Sequence, residues 1–439
     1  MTVPIKTGMV QTDSTKDYTV KIDVTGLSPN TRYYYQFEAL KGKSSIGRTK
    51  TTPINQTNGV QLAIVSCSNY EAGYYNAFAR IAEREDIDAV VHLGDYIYEY
   101  GPGTYGDESL GSTRQHIPRK EILTLADYRT RYAQYRLDAD FQRAHQMHPF
   151  ITIWDDHEFM NNVYKAGGEN HQAEEGSFDI RKNFAQQVYF EWLPVREPSN
   201  PTIYRTIPFG DMVDLILLDE RIIGRTMPVD SAQHADLQAA DRTMLGAQQL
   251  AWFKEQLISS KATWKIIGNQ VIFSPLDGSW RNPKSPYNLD AWDGYPYEQN
   301  QIRQFLARNE ISNILFTTGD THCSWAFEVP LNLADYKEDD SPVVAIEFGT
   351  PSITSSNFNE GDRTDEEVMQ AEATMMQQQF NPHLKYANLR DHGYLLLTMN
   401  MREAIAEWYY VDRINTTSPN EKLGARYVVK GGSHQLVRN

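Results

Sequence analysis

Cysteine is nearly missing: 439 residues contain two, Cys67 and Cys323. Two thiols exclude a disulfide-stapled scaffold and leave the redox compartment unread. Long apolar runs are missing too. No stretch approaches the roughly 18 residues of a membrane span, and Met1 to Asn30 lacks the charged-then-apolar order of a signal peptide. The chain is therefore expected either to be cytosolic or to lack its leader here. Positive charge is scarce, 42 Lys and Arg against 57 Asp and Glu, net −15. That balance excludes a nucleic-acid footprint and disfavours an anionic membrane as a standing partner. Hydrophobic residues at 40% and aromatics at 12% exclude disorder, and the length suits one large core plus a smaller module, or two to three average domains.

The opening stretch reads as β-rich. Tyr18 to Val24 alternates, Gly26 to Thr31 turns, and Arg32 to Phe37 alternates again. This resembles the later strands of a fibronectin type III sandwich, at about half the roughly 100 residues such a sandwich needs. A truncated or edge-incomplete module is expected over residues 1–57, with a polar linker from Thr51 to Gly59, and one catalytic domain over 58–439. Within that domain, spacing near 3.6 predicts helices at Tyr74–Glu85, Leu125–Tyr135, Phe178–Trp192, Gly246–Ile258 and Glu298–Ala307. Strands are predicted at Val213–Leu218, Val343–Phe348, Tyr394–Met399 and Ala404–Val411, with an irregular polar tail from Asn415. The order implies an α/β fold, two mixed β-sheets packed face to face and flanked by helices.

Five apolar β runs stop at ligand-type residues: Ile64-Val65 before Ser66-Cys67, Ala89 to Leu93 before Gly94-Asp95 with Tyr98, Ile151 to Trp154 before Asp155-Asp156-His157-Glu158, Ile266-Ile267-Gly268 before Asn269, and Ile314 to Phe316 before Gly319-Asp320-Thr321-His322. Open α/β sheets place their chemistry at such strand ends. Each piece alone has an ordinary reading. Gly-Asp can be a turn, Cys67 an inert small apolar residue, the acidic cluster a solvated loop, and Asn269 a backbone partner. His92, inside its strand, reads as a satisfied core histidine, and His171, His383 and His392 as loop surface or cleft rim. The joint pattern is what points to a site.

In that order the residues resemble the binuclear metallophosphoesterases, in the variant set of the PhoD-like alkaline phosphatases, from about Leu62 to Tyr410. Val90 to Gly101, Trp154 to Glu158, Trp292 to Pro296 and Gly319 to His322 carry the resemblance. Cys67, Asp156 and Asp320 stand where most of the superfamily has Asp, Asn and His, as in the PhoD-like branch. By position, the resemblance implies one ion on Cys67, Asp95, Tyr98 and His322, and a second sharing Asp95 with Asp156, Asn269 and Asp320. Thiolate, carboxylate and phenolate sum to three negative charges, which suits Fe3+. Oxygen-only ligation suits Ca2+, with Mg2+ or Mn2+ possible.

Two ions about 3.5–4 Å apart imply attack on phosphorus by metal-bound hydroxide. His157 would then assist the leaving oxygen, with Glu158 orienting it. The expected activity is hydrolysis of phosphomonoesters and phosphodiesters in phosphate scavenging, with lipid or polymer diesters as further substrates. The alternatives are a phospholipase D-like phosphodiesterase, a catalytically dead binding protein and a metal-dependent amidase. Family resemblance places the protein in the periplasm or outside the cell, although the short N-terminus leaves a cytosolic reading open. The Gly- and aromatic-rich loops Tyr100 to Gly111 and Asp277 to Pro296 are expected to wall the cleft.

Overall fold

The computed structural model describes residues 4–106, 110, 113–196, 202–336 and 342–439. The N-terminal module holds β1 (Arg32–Tyr35), β2 (Glu38–Ala39), β3 (Gly42–Lys43) and β4 (Gly47–Lys50), with β1 paired to β4 and β2 to β3. Tyr18 to Val24 is not a strand: its alternation finds no ladder, and Tyr18, Val20, Ile22 and Val24 are exposed. Period-two spacing makes a strand only where a neighbour takes its backbone bonds.

The first half of the main domain supplies β5 (Val60–Val65), α1 (Asn76–Glu83), β6 (Ala89–His92), α2 (Leu125–Tyr135), α3 (Ala139–Met147), β7 (Phe150–Thr152) and α4 (Phe178–Trp192). Next come β8 (Arg205–Phe209), β9 (Val213–Leu217), α5 (Gly246–Ser259), β10 (Trp264–Asn269), α6 (Pro296–Arg308), β11 (Ile314–Thr318), β12 (Ser324–Pro330) and β13 (Val343–Gly349). The chain closes with α7 (Asp365–Met375), β14 (Leu384–Asn388), β15 (Gly393–Met399), β16 (Glu403–Val411), β17 (Glu421–Lys430) and β18 (Val437–Arg438). The predicted helices and strands recur within a few residues of their expected bounds. Local chemistry sets several ends: Thr124 and Asp127 close a capping box on α2, and Pro296 opens α6. The tail from Asn415 is not irregular, because β17 pairs along β16. Its first four residues are exposed, so its apolar signal is confined to the second half.

One seven-stranded sheet runs β18-β17-β16-β15-β5-β6-β7, the other β14-β12-β13-β11-β10-β9-β8. They pack face to face. In the second sheet Leu215, Leu217, Ile266, Leu315 and Ile346 enter a core shared with Leu62, Ile64, Leu395 and Leu397 of the first. Their neighbours Ile216, Ile267, Ile314 and Phe316 pack instead with Phe253, Leu257, Ile302 and Leu306 of α5 and α6. Each such side chain, fully buried, contributes about 1.5–3 kcal/mol.

Parallel pairing of β5-β6-β7 and of β9-β10-β11-β13 brings all their C-terminal ends to one edge. There the sheets are tied together: Thr350 donates to the carbonyl of Ile64 at 2.9 Å and the amide of Ile353 to Ser66 at 3.0 Å. Among the described residues no helix is long and apolar enough to cross a membrane.

Candidate metal centre

All five ligand-type strand ends lie on that shared edge, and the backbone there is unusual. Cys67, Asp95, Asp320 and His322 have φ of 58°, 55°, 60° and 63°. Left-handed conformations cost side-chain-bearing residues roughly 1–2 kcal/mol each. Such strain persists only where surrounding structure enforces it, and it clusters at functional sites. The enforcing bonds are visible. The amide of Ser68 donates to the carbonyl of Asp95 at 2.9 Å, and that of Cys67 to Gly94 at 3.2 Å. Gly94 has φ 107° and lies against Asp155, where a Cβ would stand 2.4 Å from the Asp155 nitrogen. Only glycine fits.

Among the described residues three groups of side chains converge with their ligand atoms within 4.8 Å of one another: Cys67, Asp95 and His322; Asp95, Asp156 and His157; and Asp155, Asp156 and Asp320. Tyr98 joins the first, donating to Asp95 Oδ2 at 3.0 Å and lying 3.5 Å from His322 Nε2. His322 Nδ1 lies 2.9 Å from the Ser356 carbonyl, an acceptor that fixes the proton on Nδ1 and turns the Nε2 lone pair inward. Asn269 ends β10 fully buried, in register with Thr318. Its bonds run to Trp292, Thr318 and the Val271 carbonyl.

Glu158 does not orient His157. Its carboxylate accepts the backbone amides of Asp95 at 3.0 Å, Asp155 at 2.7 Å and Tyr96, and so holds the two ligand loops together. The partner of His157 is Glu99, whose Oε2 lies 2.7 Å from Nδ1. Glu99 is itself fixed through Oε1 by the Asn161 amide at 2.7 Å and by Asn170. Nothing in the sequence separated the two glutamates, because both follow a ligand strand closely. His92 is a core histidine, 3.3 Å from Ser68 Oγ. His383 and His392 are buried rather than on the rim, bonded to the Pro275 carbonyl and to Ser352 with Glu360.

Arg221, which no sequence motif singled out, also belongs to this cluster. It follows β9 in Leu218-Asp219-Glu220-Arg221, the same apolar-run-then-polar signal as the other five ends. Its fully buried guanidinium meets Asp155, Asp290 at 2.6 Å, Asp320 at 2.8 Å and Asp156 at 3.6 Å, while Arg225 shares Asp290. Four carboxylates thus face two guanidinium groups. Burial pushes Asp155 up to about 8 and Asp320 up to about 6, although Arg221 works against both shifts. Burial likewise raises Asp95 and Cys67 well above their ordinary values, reinforced by neighbouring carboxylates. At Asp156 burial is outweighed by Arg221 and His157, and its carboxyl sits below the usual range. At His157 burial is outweighed by Asp156, Glu99 and Asp95, which favour the charged ring.

Asp155 Oδ2 and Asp156 Oδ1 are buried with no hydrogen-bond partner among the described residues, the latter only facing Arg221 at 3.6 Å. Orphaned carboxylate oxygens, surplus negative charge and a thiol-phenol-imidazole set fit bound cations, which would reverse the penalty on each charged form.

Two mixed sheets in face-to-face packing, with this donor set on the edge they share, define a metal-dependent phosphoesterase. The chain belongs to the PhoD-like phosphatase family, whose sequence model matches residues 62–408, and the family's N-terminal domain matches 1–53. It is similar to alkaline phosphatase D of Bacillus subtilis (strain 168), with 34% identity over 426 residues, 93% of this chain and 69% of that protein. The solved structure of PhoD superposes with a TM-score of 0.82 at 32% identity, covering 94% of this chain and 78% of that one. A purple acid phosphatase from yellow lupin (Lupinus luteus) seeds shares the fold, with a TM-score of 0.56 at 14% identity over 92% of this chain and 60% of that one. The chain is a hydrolase of phosphate esters.

Proposed function

We propose that this phosphatase works through two ions and accepts both phosphomonoesters and phosphodiesters. The observation that carries this reading is the position of Asp95, which belongs both to the group with Cys67 and His322 and to the group with Asp156 and His157. In it, Cys67, Asp95, Tyr98 and His322 hold Fe3+, and Asp95, Asp156, Asn269 and Asp320 hold Ca2+ or another hard divalent ion. Bound there, the ions supply charge stabilisation for the phosphate oxygens and make water nucleophilic near neutral pH.

The remaining chemistry belongs to side chains. His157, stacked on the Tyr98 ring with centroids 4.2 Å apart, hands a proton to the leaving oxygen. Glu99 keeps the His157 ring in register through Nδ1, and Glu158 holds Asp95 in its left-handed turn. A calcium-filled oxygen site suits an exported enzyme, because weak Ca2+ sites fill outside cells.

Purified protein is expected to contain iron with a hard divalent ion and to be coloured by charge transfer from Tyr98 or Cys67. Elemental analysis with a visible spectrum checks this. A colourless protein fully active with zinc alone would overturn the ion assignment.

Discrimination between ester types falls to the loops rather than the ligands. Residues 100–106 and 277–295 bring Tyr105, Asp290 and Trp292 to the site, whereas 107–109 and 111 lie outside the described residues. Diesters are expected to be cleaved at least comparably to monoesters at alkaline pH. kcat/KM for a matched aryl phosphate pair decides it. A diester value more than about a thousandfold lower, a gap of roughly 4 kcal/mol, would confine the enzyme to terminal phosphates.

A further inference from the structure

The loop leaving β6 carries Tyr105 up to the site. The Tyr105 hydroxyl stands 3.3 Å from His322 Nδ1, and its ring centroid lies 5.7 Å from that of Tyr98 and 5.8 Å from that of Tyr100. The ring is within 17° of parallel to the His157 imidazole, 6.3 Å away.

Its position is built. The Tyr105 carbonyl accepts from Asn69 Nδ2, and the Gly103 amide donates to Glu71 Oε2 at 3.1 Å. A Cβ on Gly106 would meet Glu71 Cγ at 2.5 Å, so the loop after β5 grips this one closely.

Counting protons shows what the hydroxyl is free to do. With the His322 Nδ1 proton directed at Ser356, that nitrogen has no lone pair to offer, so Tyr105 can only accept from it. The phenolic hydrogen is left for another acceptor. Tyr105 is not needed to complete either ion's ligand set.

We propose that Tyr105 donates this hydrogen to a non-bridging oxygen of the phosphate bound at the site, and is a catalytic residue that does not hold the ions. The proposal rests on the phosphate-ester reading above. A hydrogen bond to a charged oxygen is worth about 10- to 100-fold in binding or rate.

The test compares the ion-loaded full chain with its Tyr105→Phe variant, which keeps the ring. The variant is expected to retain its ion content and visible band, to bind inorganic phosphate about 10- to 100-fold more weakly, and to lose the same factor in kcat/KM on an aryl monoester and an aryl diester. Phosphate affinity and kcat/KM both within twofold of the parent would overturn the proposal, as would loss of ions. So would full activity in Tyr105→Phe with a defect only in Tyr105→Ala, which would make the ring a packing surface. An ion-loaded parent that binds phosphate and cleaves no ester would instead sink the two-ion hydrolase reading, before any variant is compared.

Discussion

Asp95→Asn is expected to reduce hydrolysis by roughly 10⁴-fold or more and to lower the content of both ions. Metal-assisted charge stabilisation is worth several kcal/mol, which sets that scale. Asp95 is the side chain common to two ligand groups, and each of its oxygens already has a directed partner, Tyr98 on Oδ2 and the His157 amide on Oδ1. In the two-ion reading proposed above, an amide in its place would remove one of the three negative charges around the first ion and would turn a donor toward either Tyr98 or the second ion. The fold should survive, because the backbone at this turn is held by Glu158 and Ser68 rather than by the side chain. Circular dichroism, elemental analysis and kcat/KM measured on one preparation check all three parts. Full ion content with more than a tenth of the parent turnover would remove Asp95 from the bridging position.

His157→Ala should behave differently, with ions retained and turnover about 10²–10⁴-fold lower, the range for lost acid–base assistance. The loss should grow as the leaving group becomes more basic, since a good leaving group such as nitrophenolate departs without a proton. Glu99→Gln is expected to show the same leaving-group trend more weakly, because it acts only through the Nδ1 contact at 2.7 Å. Steady-state rates over a series of aryl and alkyl phosphates, with ion content measured alongside, decide it. A loss uniform across the series, or departure of the ions from His157→Ala, would take proton transfer away from this residue.

Much of the site was legible because its residues obey a local rule: an apolar run that ends at a polar side chain. Cys67, Asp95, Asp156, Asn269, Asp320 and His322 all end such runs, and the fold brings Cys67, Asp95, Asp156, Asp320 and His322 into close groups. Arg221 obeys the same rule and was passed over, since an arginine suggests no metal ligand until four aspartates are seen around it. Glu99 and Glu158 show the opposite limit. Both lie within four residues of a proposed ligand, and only the direction of each carboxylate, one to the His157 ring and the other to three backbone amides, separates their roles.

By itself, then, the sequence determined what is encoded over short spans: helices with caps and a 3.6 period, buried parallel strands as apolar runs, and the ligand types that end them. It also determined the charge balance, because that is a count. The tertiary structure alone decided what depends on partners far along the chain. Pairing left Tyr18 to Val24 without a ladder and made a strand of Glu421 to Lys430. Long-range bonds also hold Cys67, Asp95, Asp320 and His322 in left-handed turns. Strand ends separated by more than 200 residues meet only because two sheets share an edge, and that meeting turns scattered carboxylates into a charge deficit that cations can fill.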